Sequence, residues 1–371
     1  MELSLSVLRH RLSARRQALR PVPAVERPEG RLLWAHLTPG DRVGAMMALE
    51  RLERLHPDLT LLVTGEPVDG RLHTPTPADT RGAAAFFLGH WRPDLAVFFG
   101  EDLFPSLWKE ALALGIPLIA AEADPARYGQ ALVAPMSQFD AVLTVAPDPR
   151  LGGVVEVVEP LSRVPALPFY DPERIEELGV SVATRPLWLA TGVPEAELSV
   201  VIEAHRRASQ GAHRLLLVLE DLSGRAEQRF KSQNWLVSRD DLPCLSDQVL
   251  LIRDQRDLGA WLHLAPITYL GGTLVGSGPN MPPFWPASLG SAIILGPRTT
   301  QHAEQVEGIW AGRAAELIDT PRELGAAVER LNNPERAAAL AARGWQVTDA
   351  GALATQTLLE LIDDTLAGVP I

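Results

Sequence analysis

The chain has 371 residues, 46% of them hydrophobic and 22% charged. These are globular proportions, enough chain for two domains, and they exclude disorder as the default. A formal net charge of −12 excludes nucleic acid as the main partner, because phosphate neutralisation needs a basic footprint. The single cysteine, Cys244, leaves no intramolecular disulfide, which suits a reducing compartment.

Residues 1–20 place Met1, Leu5, Leu8, Leu12 and Leu19 on one helical stripe, flanked by Arg9, Arg11, Arg15, Arg16 and Arg20. Two uses fit such a segment. It can lie on an anionic bilayer, or it can pack on its own domain with the arginines solvated. No run of about 18 apolar residues marks a membrane-crossing helix. The N-terminus lacks the basic, apolar, small-residue order of a signal peptide. The expected location is cytoplasmic.

From residue 21 the pattern alternates. "RLLWAHL" reads as a buried strand, "RVGAMMALERLERLH" as a helix and "LTLLVTG" as a strand. "RGAAAFFLGHW" is helical, "DLAVFFG" a strand, "LFPSLWKEALALG" a helix and "PLIAAEA" a strand, before "FDAVLTVA" and "VVEVVEP". Residues 161–174 are proline-rich and aperiodic, and read as a linker. Residues 175–371 alternate again, with strands at "PLWLAT", "HRLLLVLE", "VLLIRD", "ITYLGGTL" and "AIILGP". Helices are expected at "EAELSVVIEAHRRASQ", "RELGAAVERLNN", "PERAAALAARGWQV" and "ATQTLLELIDDTLAG". Strands alternating with helices indicate parallel sheets. The expected architecture is α/β, with two Rossmann-like domains, 21–160 and 175–371, facing across a cleft.

There is no GxxxxGK phosphate loop, no GxGxxG at a strand-to-helix turn of the first half, and no HExxH, CxxC or GxSxG motif. A bound metal or a dinucleotide cofactor is therefore not expected. The remaining candidates lie after strands, where open α/β sheets bind ligands. Asp41, in "HLTPGDR", suits either a helix N-cap or a general base. Asp102, beside Glu101 in "GEDLFP", is a second carboxylate at a strand end. In the second half, Thr191 and Gly192 form one turn, and Gly271, Gly272 and Thr273 form another. Backbone N–H groups of such turns suit phosphate or carboxylate oxygens. Asn280, Gln301 and Glu304 are placed to fix a sugar or base.

Several stretches carry a family likeness. "RPLWLATG", "IEAHRR", "YLGGTLVGSGPN", "PASLGSAIILGP" and "HAEQ" resemble the C-terminal half of the bacterial 3-deoxy-D-manno-octulosonic acid (Kdo) transferases. "LLWAHLTPGD" and "WRPDLAVFFGEDLFPSLWKEALALGIPLIAAEA" resemble the N-terminal half, so the likeness covers residues 30–365.

The resemblance implies a GT-B inverting glycosyltransferase that takes CMP-Kdo as donor and a lipid A precursor as acceptor, without a required metal. It implies that Asp41 is the base and Asp102 the second acid, each shorter than the family glutamate. It also implies that turns 191–192 and 271–273 hold the CMP phosphate and the Kdo carboxylate. Residues 1–20 would stand in for a membrane anchor, as peripheral contact with the cytoplasmic face of the inner membrane. The sequence departs from the family where Glu220 and Asp221 replace an arginine-histidine pair, Asp124 replaces an arginine and Trp285 replaces a glutamate. Two alternatives stay open: a paralogue that keeps the fold as a binding or regulatory protein, and an enzyme using another nucleotide sugar.

Overall fold

The structure, a computed structural model, describes residues 25–40, 42–182, 185–212, 214–221, 224–238 and 242–368. Segment 1–20 and Asp41 lie outside the described residues. The chain forms two compact units. One runs to Arg163 and resumes at Ala350; the other is Val164–Asp349.

The first unit holds seven strands: β1 (Leu32–Leu37), β2 (Thr60–Gly65), β3 (Leu72–His73), β4 (Leu95–Phe99), β5 (Leu118–Ala123), β6 (Ala141–Thr144) and β7 (Val155–Val157). Their order is β3-β2-β1-β4-β5-β6-β7, and each neighbouring pair is parallel. Central strands of such a sheet are covered on both faces, which explains why they read as continuous apolar runs. In β1, Leu33, Ala35 and Leu37 enter one core while Leu32 and Trp34 enter the other.

The second unit repeats the plan with β8 (Leu187–Thr191), β9 (Leu216–Glu220), β10 (Val237–Ser238), β11 (Val249–Ile252), β12 (Ile267–Leu270), β13 (Ala292–Leu295) and β14 (Ala315–Leu317). The order is β10-β11-β9-β8-β12-β13-β14, again parallel throughout. Trp188 and Ala190 of β8 enter one core, Leu187 and Leu189 the other. Two parallel α/β units agree with the architecture expected from the alternation. The edge strands β3, β10 and β14, of two or three residues each, are too short to show a period and were not anticipated.

In each sheet the chain order reverses beside the first strand, between β1 and β4 and between β8 and β12. Strand ends at such switch points open a crevice with backbone groups on both sides. Asp102 follows β4, Thr191 ends β8, and Gly271 follows β12.

The helix Ala352–Ala367, assigned from sequence to the 175–371 domain, belongs to the first unit. Ala354, Leu358, Leu361 and Ile362 pack with Leu33, Val63 and Val97. An apolar stripe at i, i+4, i+7 and i+8 must be buried somewhere, and periodicity alone does not say against which sheet. Leu358→Ala should therefore destabilise the first unit by about 2–5 kcal/mol, as expected for a fully buried leucine. Urea unfolding followed by fluorescence of the tryptophans in this unit reads it; an unchanged midpoint would reject the packing.

Candidate active site

At the switch point of the first sheet a buried polar chain leads outward. The Trp34 indole N–H donates to Thr64 Oγ1 at 2.8 Å. Thr64 Oγ1 lies 3.0 Å from His36 Nδ1, and His36 Nε2 lies 3.1 Å from Asp102 Oδ2. A carboxylate accepts only, so Nε2 carries the proton, and Nδ1 of a neutral ring accepts from the Thr64 hydroxyl. His36 is 2% exposed, whereas the Asp102 side chain is 40% exposed. The buried imidazole thus anchors a carboxylate that faces outward. The Asp102 N–H donates to Thr38 Oγ1 at 3.1 Å, which fixes the backbone as well.

The hydrogen bond from His36 holds the Asp102 carboxyl below the usual Asp range, against the opposing effect of burial. Attraction to His36 and the Thr38 hydroxyl act in the same direction. A carboxylate so stabilised stays ionised and is a weaker base than a free one. His36 was passed over in the sequence because it sits inside an apolar strand. Its only signal was the polar residue at the strand's penultimate position.

Beside Asp102 lies a pocket with an apolar floor of Phe98, Trp108, Ala120 and Met136 and a polar rim that includes Asp124 and Tyr128. Arg127 bridges Glu101 at 2.6 Å and Asp124 at 2.7 Å. Glu101 is thereby paired, and Asp102 remains the carboxylate held by a histidine. Burial, then the charge of Glu101 and Asp102, pushes the Tyr128 hydroxyl up. Glu122, near the end of β5, has a φ of +53° where the ladder to β6 shifts register. Left-handed backbone at a non-glycine residue stores strain, and such strain gathers at functional sites. Its Oε1 accepts from the Leu161 N–H at 3.3 Å and lies 3.1 Å from where a Cβ on Gly44 would stand. A carboxylate therefore sits at the first turn of the helix Val43–Leu55.

In the second unit the structure brings turns 191–192 and 271–280 together. The Gly271 N–H donates to the Thr191 carbonyl at 2.8 Å, and Asn280 Nδ2 donates to the Gly192 carbonyl at 2.6 Å. A Cβ on Gly271 would stand 2.5 Å from the Val193 Cα, and Gly272 has a φ of +84°. These two positions need glycine for close approach and for left-handed backbone respectively.

The Thr191 and Thr273 hydroxyls and the Gly192, Gly271 and Gly272 N–H groups are engaged within the protein. Glu197, 0% exposed, fills the glycine turn. Its Oε2 accepts from Tyr269 Oη at 2.7 Å and the Gly272 N–H at 2.9 Å. Its Oε1 accepts from the Leu274 N–H at 2.9 Å and the Val275 N–H at 2.7 Å. Burial, then the adjacent Glu197 charge, keeps Tyr269 protonated as a donor. Thr273, also 0% exposed, donates to the Leu270 carbonyl at 2.7 Å and accepts from the Gly296 N–H at 2.9 Å. Its hydroxyl is a structural tie between strand ends. Glu220 Oε2 accepts from Thr191 Oγ1 at 2.6 Å and the Gly192 N–H at 2.8 Å. Asp221 accepts from the Arg225 and Ala226 N–H groups, both at 3.1 Å, at the start of the helix Ala226–Lys231.

Asn280, Gln301 and Glu304 are exposed around this turn or on the adjoining segment. Arg298, not singled out from sequence, holds the Thr273 carbonyl through its N–H at 2.9 Å and the Leu274 carbonyl through Nε at 3.2 Å. It brings a guanidinium to the glycine turn. The prolines that follow the turn start the short helix Phe284–Ser288. First-turn N–H groups have no intrahelical acceptor, so Pro286 costs little there. Among the described residues no group of three or more His, Cys, Asp or Glu side chains is placed to hold a metal ion. None of their helices is long and apolar enough to cross a membrane.

Known proteins resemble this chain in both halves. Residues 10–130 match a family model described as 3-deoxy-D-manno-octulosonic-acid transferase. The probable mitochondrial 3-deoxy-D-manno-octulosonic acid transferase of Arabidopsis thaliana is 23% identical over 364 residues, 84% of this chain and 80% of that protein. The 3-deoxy-D-manno-octulosonic acid transferase of Haemophilus influenzae is 23% identical over 368 residues, 87% of this chain and 84% of that protein. Among solved structures, the C-terminal CMP-Kdo binding domain of WaaA from Acinetobacter baumannii is 18% identical with a TM-score of 0.44, over 47% of this chain and 96% of that one.

Two outcomes are expected from this geometry. Glu197→Gln replaces one acceptor oxygen by an N–H donor, leaving buried donors unmatched at about 1–3 kcal/mol each. Chemical denaturation should show that loss, and wild-type stability would contradict the four-donor arrangement. For Asp102, the folded pKa is depressed, so the pair with His36 adds stability above the ordinary Asp value of about 3.9. That stability is lost as pH falls through the folded value. His36→Leu should raise the Asp102 midpoint, read by carboxyl carbon NMR, and an unmoved midpoint would remove His36 as its cause.

Proposed function

We propose that this chain, a divergent member of the Kdo transferase family, is an inverting glycosyltransferase of the GT-B type that moves Kdo from CMP-Kdo to a hydroxyl of a lipid A precursor. The reading rests chiefly on the extent of the likeness to curated Kdo transferases, which spans both units rather than one. The reaction serves lipopolysaccharide assembly, at the cytoplasmic face of the inner membrane, with residues 1–20 as the peripheral contact.

In this reading the first unit takes the acceptor. Asp41 removes the proton from the acceptor hydroxyl as that oxygen attacks the Kdo anomeric carbon. Asp102, a weaker base than an ordinary aspartate, accepts a hydrogen bond from the acceptor and keeps its negative charge near the cationic sugar of the transition state. His36, behind it, fixes its rotamer. The donor carries its own leaving group, so the chain supplies orientation and electrostatic stabilisation. The second unit takes CMP-Kdo at the ends of β8 and β12. There Thr191, Gly192, Gly271, Gly272 and Thr273 form the frame, and Asn280, Gln301, Glu304 and Arg298 meet the ligand. Arg298 supplies positive charge beside a turn whose Gly271 and Gly272 N–H groups are engaged.

The experiment is transfer from CMP-Kdo to a Kdo-free lipid A precursor, read by mass spectrometry of the lipid product. Asp41→Ala should lower kcat by about 10²–10⁴-fold, the usual worth of a general base. Asp102→Asn should lower it by about 10²-fold, as for a mispositioned reactant. Wild-type protein that neither binds CMP-Kdo nor forms product would overturn the proposal.

A further inference from the structure

Two carboxylates of the second unit sit where a ligand anion would sit, and they differ in one respect. Glu197 is fully buried and tied by four donors. Glu220 is only partly buried, and one oxygen, Oε2, takes both donors of the β8 turn, the Thr191 hydroxyl and the Gly192 N–H. A hydroxyl and a backbone N–H converging on one oxygen at a strand end is the arrangement by which such turns hold a phosphate or carboxylate oxygen. The turn is held firmly in this form. The carbonyl of Gly192 accepts from Asn280, and that of Thr191 from the Gly271 N–H.

We infer that Glu220 is the built-in occupant of an anion seat made by Thr191 and Gly192, and that it decides the charge of the ligand group bound there. While its carboxylate is in place, a phosphate finds its donors taken and meets a like charge. The seat admits an anion only when Glu220 is removed or swings out. The inference rests on the second unit being the nucleotide-sugar domain, but it concerns the seat and not the transfer reaction.

The test uses the full chain as wild type, Glu220→Ala and Glu220→Gln, with inorganic phosphate as probe and the Gly192 amide signal as readout. Glu220→Ala frees both donors and removes the charge. It should bind phosphate more tightly by about tenfold or more, the worth of one charge-assisted hydrogen bond. Glu220→Gln removes the charge but keeps an acceptor oxygen in the seat, so its gain should be smaller. It also preserves the turn if the alanine variant fails to fold. Equal phosphate affinity in all three proteins, or a response that maps away from Gly192, overturns the inference. Absence of Kdo transfer with a phosphate gain in Glu220→Ala would refute the proposed function and leave this seat standing. Transfer by the wild type with no gain in either variant would do the reverse.

Discussion

The second unit depends on a buried carboxylate. Glu197 gathers a strand tyrosine and the N–H groups of Gly272, Leu274 and Val275 onto its two oxygens. Without an acceptor inside, the glycine turn after β12 would have to leave those N–H groups bare in a dry interior or open toward water. With it, the turn closes on itself, Thr273 ties β12 to β13, and the carbonyls of Thr273 and Leu274 are left to hold Arg298. The turn resembles a phosphate cradle in sequence because it is one in form, but the anion it cradles is the chain's own.

The two units use acids in opposite ways. In the first, a histidine is buried so that a carboxylate can stand at the surface with a fixed direction and a lowered affinity for protons. In the second, carboxylates turn inward and consume donors. In the proposed reaction the exposed charge of Asp102 would face the sugar of the transition state, and the guanidinium of Arg298 would face the anionic donor. The division follows from the same fold, since both sites occupy the point where strand order reverses, and only the side chains at the strand ends differ.

Most of the architecture was legible in the sequence. Buried parallel strands announce themselves as runs such as "LLWAHL" and "DLAVFF", and the glycines after β12 mark a turn that no other residue can make. The ends of β1 and β4 were closely located as well, whereas the strand read through "ITYLGGTL" stops at Leu270, where the glycine turn begins. What pattern could not reveal was where the donors point. Thr273 reads as part of a ligand-binding turn, and its burial and bonds show that its hydroxyl is a strut. Glu197 reads as one more acid at the start of a helix, because its partners lie 72 to 78 residues away. Asp221 reads as one more acid at a strand end, and its oxygens prove to hold the N–H groups that open the next helix. The closing helix was placed with the wrong sheet for the same reason: a stripe of leucines specifies that it will be buried, not against what.

That helix has a consequence for how the molecule comes to exist. The chain leaves the first unit at Arg163 and re-enters it at Ala350, so the second unit is, in order of synthesis, an interruption of the first. The second unit has all of its strands once Asp349 has emerged, while the first still lacks the helix that joins Val43–Leu55 in covering one face of its sheet. Ala35, Val63 and Val97 must then wait, partly uncovered, for Leu358 and Ile362. Domains generally fold as units as they leave the ribosome, and here the order is inverted. The half of the chain made first is the half completed last.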